Sequence, residues 1–346
     1  SLQQLPGANR HERKGTSGVA AMSFKVLVTI PWFKNRPAPE LDRLRDQGCE
    51  IVINQLGRAY NEAELIDAIS DVDATIAGAE PYNEKTLAGA HALKVIARVG
   101  VGFDMIDVEA ATRGRVAVAM AFGTNHEAVA DHAFSLLAAL CNQLPTYHQQ
   151  ITGGAWGSRF HSSLWQGTIG IIGLGRIGRA LAQRCRGFEM RILANDIAPD
   201  ANYAAANGIE MVDLETLLRE SDFVSLNAPH TELTNKMVNA KTLSLMKPDA
   251  FLINTARGGL IDEADLTEAL RNKTIAGAGL DVVAKEPLPS DSPLRTLDNV
   301  ILTPHCAGVS DKAVTLMLDR AIDSVIAIKD GRKPERHLIL NPEVLD

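Results

Sequence analysis

The stretch Thr168-Ile169-Gly170-Ile171-Ile172-Gly173-Leu174-Gly175-Arg176-Ile177-Gly178-Arg179-Ala180-Leu181-Ala182 decides the fold. An apolar run leads into a glycine turn, and the turn leads into a helix start. A second apolar run, Met190 to Ala194, ends at Asp196. Each part has a physical task in holding a dinucleotide. Gly173 permits the tight turn, Gly175 lets backbone approach a pyrophosphate, and Gly178 lets helix pack close on strand. The helix start at Arg176 and Ile177 offers free N–H groups and a partial positive charge to the phosphates. Glycine turns recur in many loops, so the weight rests on strand, glycines, helix, strand and acid standing in register.

Asp196 selects the coenzyme. A carboxylate at that strand end accepts hydrogen bonds from adenosine ribose hydroxyls. A 2′-phosphate would meet like charge there, a repulsion of about 4 kcal/mol at ~4 Å and an effective dielectric near 20, or roughly a thousandfold in affinity. The following Ile197-Ala198-Pro199-Asp200 supplies no arginine or lysine to offset it. The expectation is NAD over NADP.

With 346 residues, the prior is two domains, each large enough for its own core. The 46% apolar and 22% charged composition is that of a soluble globular protein. No apolar run reaches the length of a membrane helix. The net charge of −7 argues against nucleic acid held on a broad basic face. Cys49, Cys141, Cys185 and Cys306 lie far apart without CxxC spacing, reading as reduced thiols of a cytoplasmic protein with no metal site. Residues 1–23 are polar, with basic residues at Arg10, Arg13 and Lys14, and read as a flexible N-terminal extension.

Strands alternate with helices on both sides of residue 121. The spacing predicts strands at 26–30, 49–53, 74–77, 95–98 and 116–120, then at 168–172, 190–194, 223–226, 251–254, 275–280 and 300–302. Helices are expected at Glu62–Ile69 (capped by Asn61), Asp107–Thr112, Asn125–Leu140, Glu263–Arg271 and Asp311–Lys329. This βαβ alternation makes the chain an α/β protein of two doubly wound parallel sheets. The first part of a substrate domain spans 24–121, a Rossmann NAD-binding domain 122–308, and 309–346 returns to the substrate domain. The apolar helix Asn125–Leu140, broken at Pro145, is explained by a crossover between domains or by a subunit contact.

Three strand ends of the second sheet each deliver one polar residue to the edge where open α/β sheets bind ligands. Arg257 follows Phe251–Asn254, Glu286 follows Ile275–Leu280, and His305 follows Val300–Leu302. Singly, each has an ordinary structural reading as cap, helix-end partner or solvated turn. Together they suit hydride transfer beside a carboxylate: histidine as base or acid near neutral pH, a carboxylate orienting it, and arginine gripping the substrate carboxylate as a bidentate fork. His126 and His132 on the long helix read as packing or subunit-contact residues, His148 and His161 as solvent-facing, and Cys306 as a small buried side chain.

Beyond those residues, the chain resembles the D-isomer-specific 2-hydroxyacid dehydrogenase family, and within it the short-chain form of D-3-phosphoglycerate dehydrogenase. The similarity runs from about Phe24 to the end. It includes Arg98-Val99-Gly100-Val101-Gly102-Phe103-Asp104, the glycine turn, Ala256-Arg257-Gly258-Gly259, Leu280-Asp281-Val282, Glu286-Pro287 and Pro304-His305. The resemblance implies a Rossmann coenzyme domain inserted into a flavodoxin-like substrate domain, dimeric through the coenzyme domains. It assigns catalysis to Arg257, Glu286 and His305, and places the Val101 and Gly102 N–H groups near the substrate carboxylate. Matching coenzyme contacts are Arg176, Ile177, Asp196, Ala228, Thr255, Asp281 and the His305–Gly308 turn.

Two departures stand out. Met105 occupies a position where the family has asparagine. Phosphoglycerate dehydrogenases carry basic or hydroxyl residues after the third strand, whereas Gly78-Ala79-Glu80 places a carboxylate where a phosphate would want a cation, with Arg98 as partial compensation. The expected substrate is therefore a small unphosphorylated 2-oxo or 2-hydroxy acid of the glyoxylate or hydroxypyruvate type. The alternatives are D-3-phosphoglycerate dehydrogenase and a non-enzymatic NAD(H)-sensing protein similar to the C-terminal binding protein corepressors. Formate dehydrogenase is disfavoured, because that related group pairs its histidine with glutamine.

Overall fold

The computed structural model describes residues 23–346 except Arg36 and Arg159. All of the expected N-terminal extension but Ser23 lies outside the described residues. Among the described residues, twelve strands form two sheets whose ladders are all parallel: β1 (Phe24–Val28), β2 (Cys49–Ile53), β3 (Ala74–Ala77), β4 (Val95–Arg98), β5 (Ala117–Ala119), β6 (Thr168–Ile172), β7 (Arg191–Asn195), β8 (Ile209–Met211), β9 (Phe223–Leu226), β10 (Phe251–Asn254), β11 (Gly277–Leu280) and β12 (Val300–Leu302).

The first sheet runs β2-β1-β3-β4-β5, the flavodoxin-like order; the second runs β12-β11-β10-β9-β6-β7-β8, the doubly wound nucleotide-binding order with an added strand. In the second sheet the order reverses at β6, so the crevice outside the ends of β6 and β9 opens beside Gly173. Strand β8 is absent from the sequence reading. It has three residues, only one of them buried, and too short an alternation to register. Strand β1 begins two residues earlier than expected.

Local signals explain the helix starts. Asn61 and Glu64 form a reciprocal capping box at Glu62–Ile69, and the Asp262 side chain accepts from Ala264 and Asp265 N–H at Glu263–Arg271. The long helix is His126–Cys141. Its apolar face needs no other subunit, because Leu136, Leu137 and Leu140 pack into the second sheet's core with Ile171, Ile253 and Leu181. The expected break comes just before Pro145, at Asn142 and Gln143. A second helix, Leu144–Thr152, starts at once with the proline in its first turn, after Gln143 adopts φ 52°.

The helix Asp311–Lys329 returns to the first sheet, where Leu318, Ile322 and Val325 join Val26, Val28, Ile76 and Ala97. Asn341 fastens the segment behind it. It is 1% exposed; its Oδ1 accepts from Val118 N–H at 2.8 Å, and its Nδ2 donates to Val116 O at 2.9 Å and Thr112 Oγ1 at 3.0 Å. An Asn341→Leu substitution leaves two buried backbone groups unpaired, each costing about 1–3 kcal/mol. We expect a loss of about 2–5 kcal/mol of stability, read from the urea midpoint; a variant as stable as the parent would show that this segment carries no such tie.

Candidate active site

The glycine turn has the stereochemistry a pyrophosphate cradle requires. Gly173 sits at φ 95°, and a Cβ there would meet Ala228 N at 2.7 Å, where the chain leaves β9. A Cβ at Gly178 would collide with the Gly173 carbonyl, so helix and turn approach as only glycine permits. Over Gly175, by contrast, no atom lies within 4 Å. The helix Arg176–Arg186 starts there without a side-chain cap, and its first backbone bond is Arg179 N to Gly175 O at 2.9 Å. The N–H groups of Arg176, Ile177 and Gly178 are therefore left for an anion. A nucleotide pyrophosphate fits this place on open space, free donors and helix polarity together.

Asp196 follows β7 as expected. Its Oδ2 accepts from Leu174 N–H at 2.7 Å and its Oδ1 from Ala198 N–H at 2.8 Å, which fixes the carboxylate beside the turn. The fold also brings up a cation that the linear stretch after Asp196 lacks. Arg179 donates to Leu174 O at 3.1 Å, but its guanidinium is paired with Asp200 at 3.0 Å and lies over the Tyr203 ring. So placed, it is committed elsewhere and does not offset Asp196.

The three polar strand-end residues face one cleft between the sheets. His305 Nδ1 lies 2.7 Å from Glu286 Oε2. An ionised carboxylate only accepts, so Nδ1 carries the proton and Nε2 is left for a substrate. The Glu286 hydrogen bond raises the His305 pKa above the ordinary histidine range, against burial and the Arg257 charge. Burial, the largest single influence on Glu286, would raise its pKa; the His305 bond and charge, with the bond from Val283 N–H, together outweigh it and hold that carboxyl below its usual range.

Arg257 crosses the cleft. Its Nε donates to Asp104 Oδ2 of the other sheet's loop at 3.0 Å, and its guanidinium lies in the space a Cβ of Gly102 would fill. Among the described residues, neither the Val101 nor the Gly102 N–H has an acceptor. Two backbone donors without an acceptor thus belong to the loop against which the guanidinium packs, a set of groups suited to a carboxylate. Asp104 is the functional residue that sequence reasoning missed: it was legible as part of the loop, but its partner lies on the other domain. Met105 is exposed and takes no part in these bonds.

Thr255 is buried at the end of β10, and Asp281 at the end of β11. Asp281 accepts from Thr303 Oγ1 at 2.6 Å and from Cys306 and Ala307 N–H at 2.9 Å each. Gly308 closes the turn against Asn125, whose Nδ2 would stand 2.7 Å from a Cβ there.

One expectation needs correction. Glu80 does not point into the cleft. It is 1% exposed, its Oε2 accepts from Thr29 Oγ1 at 2.8 Å, and the carboxylate lies over Gly78. Free space beneath the small residue at 78 and the Thr29 hydroxyl draw it inward. Arg98 donates from Nε to Gly102 O at 3.1 Å and lies over Gly100, so it supports the loop from behind.

Comparison with known proteins agrees with this geometry. The profile of the D-isomer specific 2-hydroxyacid dehydrogenase NAD binding domain matches residues 134–307. A glyoxylate reductase of Pyrococcus furiosus is 36% identical over 335 residues, covering 94% of this chain and 97% of that protein. A D-3-phosphoglycerate dehydrogenase of Synechocystis is 38% identical over 273 residues, covering 78% of this chain but 49% of that longer protein. Among solved structures, D-lactate dehydrogenase of Aquifex aeolicus, complexed with NAD and lactic acid, superposes with TM-score 0.80 at 26% identity, over 92% of this chain and 99% of that one. No helix among the described residues is long and apolar enough to cross a membrane. With the glycine turn, the strand-end triad and these relatives in agreement, the chain belongs to the D-isomer-specific 2-hydroxyacid dehydrogenase family and uses NAD.

Proposed function

We propose that this protein is an NADH-dependent 2-oxo acid reductase acting on a small unphosphorylated substrate of the glyoxylate or hydroxypyruvate type. The observation that carries the reading is the His305–Glu286 pair at 2.7 Å, facing the same cleft as Arg257 and the Val101–Gly102 loop. In this reading residues 24–121 and 309–346 form the substrate half, and 122–308 form the coenzyme half. Gly173, Gly175, Arg176, Ile177, Gly178, Asp196, Ala228, Thr255, Asp281 and Gly308 hold the coenzyme, which when bound supplies hydride.

The chain's own residues do the rest. The Val101 and Gly102 N–H groups and Arg257 hold the substrate carboxylate, and Arg257 polarises the neighbouring carbonyl. His305 Nε2 gives its proton to the carbonyl oxygen as the carbon is reduced, and takes it back in the reverse direction. Glu286 keeps the ring in the correct tautomer and favours its protonated form. The free thiols, three of them buried, suit a reducing cytoplasm.

We also infer a homodimer. The helix Leu144–Thr152 and the segment after it leave Leu144, Ile151, Trp156, Phe160 and Trp165 exposed, with Trp156 at 91%. Five large apolar side chains left exposed within one segment outside both cores call for a covering surface, and a second copy of the coenzyme half would supply it.

Three experiments test these readings. With NADH and a panel of 2-oxo acids, nicotinamide absorbance should report turnover of glyoxylate or hydroxypyruvate ahead of phosphohydroxypyruvate, and His305→Ala should lower it by about 10²–10⁴-fold. Tight NADH binding with no turnover on any oxo acid would move the protein to the sensor class. Because Glu286 raises the His305 pKa, the rate of reduction falls as pH climbs through that raised value. Glu286→Gln should therefore shift this alkaline limb to lower pH; an unmoved limb would contradict the pairing. In sedimentation the parent should run as a dimer and Trp156→Asp as a monomer, whereas a monomeric parent would end the dimer reading.

A further inference from the structure

The long helix His126–Cys141 contributes one polar side chain to the edge of the site, His132, and nothing in the reaction outlined above uses it. His132 Nε2 lies 3.0 Å from Thr303 Oγ1 and 3.6 Å from Asp281 Oδ1. Together with the Cys306 thiol, these groups place three possible metal-ligand atoms within 4.8 Å of one another. Proton counting argues against a metal. The Thr303 hydroxyl has one proton, and the ionised Asp281 carboxylate takes it at 2.6 Å. The threonine oxygen can then only accept from His132, so Nε2 carries a proton and has no lone pair to offer. The Asp281 oxygens are already engaged by Thr303 and by the Cys306 and Ala307 N–H groups.

What remains is a directed chain of hydrogen bonds that ends at the catalytic turn. Asp281 holds that turn by both carboxylate oxygens, and its own carbonyl accepts from His305 N–H at 2.8 Å. His305 itself sits at φ 52°, a conformation uncommon for a residue with a Cβ and one that costs energy unless neighbours fix it. We propose that His132 is a positioning residue for His305. By donating to Thr303 it commits the hydroxyl proton to Asp281, and Asp281 in turn holds the backbone that aims the His305 ring. The effect on rate rests on the reductase reading; the effect on the ring does not.

The test is a double-mutant cycle at saturating NADH. His132→Leu should lower kcat by about tenfold or more while leaving KM for the oxo acid within about twofold, because Arg257 and the Val101–Gly102 loop are untouched. His132→Gln, which keeps a donor, should recover most of the loss. Thr303→Val should mimic His132→Leu, and the double variant should be no slower than the slower single one. Thr303→Ser should stay near the parent, which separates the missing hydroxyl from a folding defect. Additive losses, or a His132→Leu enzyme with the parent's kcat, would overturn the inference while leaving the reductase reading intact. If the parent turns over no oxo acid, the downfield proton resonance of His305 Nδ1–H against Glu286 decides instead. Its loss or broadening in His132→Leu would support the role, and an unchanged resonance would refute it.

Discussion

The guanidinium of Arg257 occupies the space where a side chain at Gly102 would begin, and much of the site depends on that close approach. Arg257 rises from β10 of the coenzyme sheet, whereas Gly102 belongs to the loop after β4 of the other sheet. Only a residue without a Cβ lets a guanidinium lie against loop backbone whose N–H groups have no acceptor. The bond to Asp104 fixes the approach from the loop's side. One contact thereby brings the unpaired backbone donors of one loop and the charged side chain from the other sheet together, with the His305–Glu286 pair within reach of the Arg257 charge.

The two sides of the cleft are fixed in different ways. On the substrate side the loop is held by Arg98 through the Gly102 carbonyl. On the coenzyme side, Asp281 gathers four hydrogen bonds from a segment of five residues, Thr303 to Ala307. A buried carboxylate is costly in isolation, yet the three bonds to the Asp281 carboxylate, from Thr303, Cys306 and Ala307, together with His132, lower its pKa despite burial. Its negative charge also reaches His305 and helps to keep the imidazole protonated. The same residue thus shapes the turn and contributes to its electrostatics, which explains why a strained histidine persists there.

Most strands were legible because each is an apolar run bounded by turn residues, and a parallel sheet buried on both faces leaves such runs nearly continuous. The placement of Arg257, Glu286 and His305 was legible for a related reason: strand ends are where an open parallel sheet exposes polar residues to ligands. Side-chain direction was not. Glu80 stands at a strand end like Glu286, and nothing local distinguishes them. Glu286 turns outward to a histidine, and Glu80 turns inward to Thr29, a partner 51 residues away. Likewise Asp104 and Arg257 are separated by 153 residues, and Arg179 reaches the Leu174 carbonyl and Asp200 only when the helix folds beside the turn. Spacing fixes which edge a residue reaches, but tertiary partners fix where its charge points.

Glu80 bears on substrate choice through that inward turn. Burial holds the Arg98 guanidinium below the ordinary arginine range, while the Glu80 carboxylate pulls the other way as its largest favourable charge. A cation so compensated is a poor anchor for a second anionic group on a substrate, since the added charge would meet a pair already close to neutral. Arg257 has no comparable buried counter-charge: Asp104 is a largely exposed partner, and water screens it. Across the two halves there is therefore one strong cation, Arg257 of the coenzyme half, and a neutralised pair, Arg98 and Glu80, in the other half. A buried carboxylate thereby lowers the pull of Arg98 on a second anionic group without touching that group, a long-range effect that the order of residues along the chain does not display.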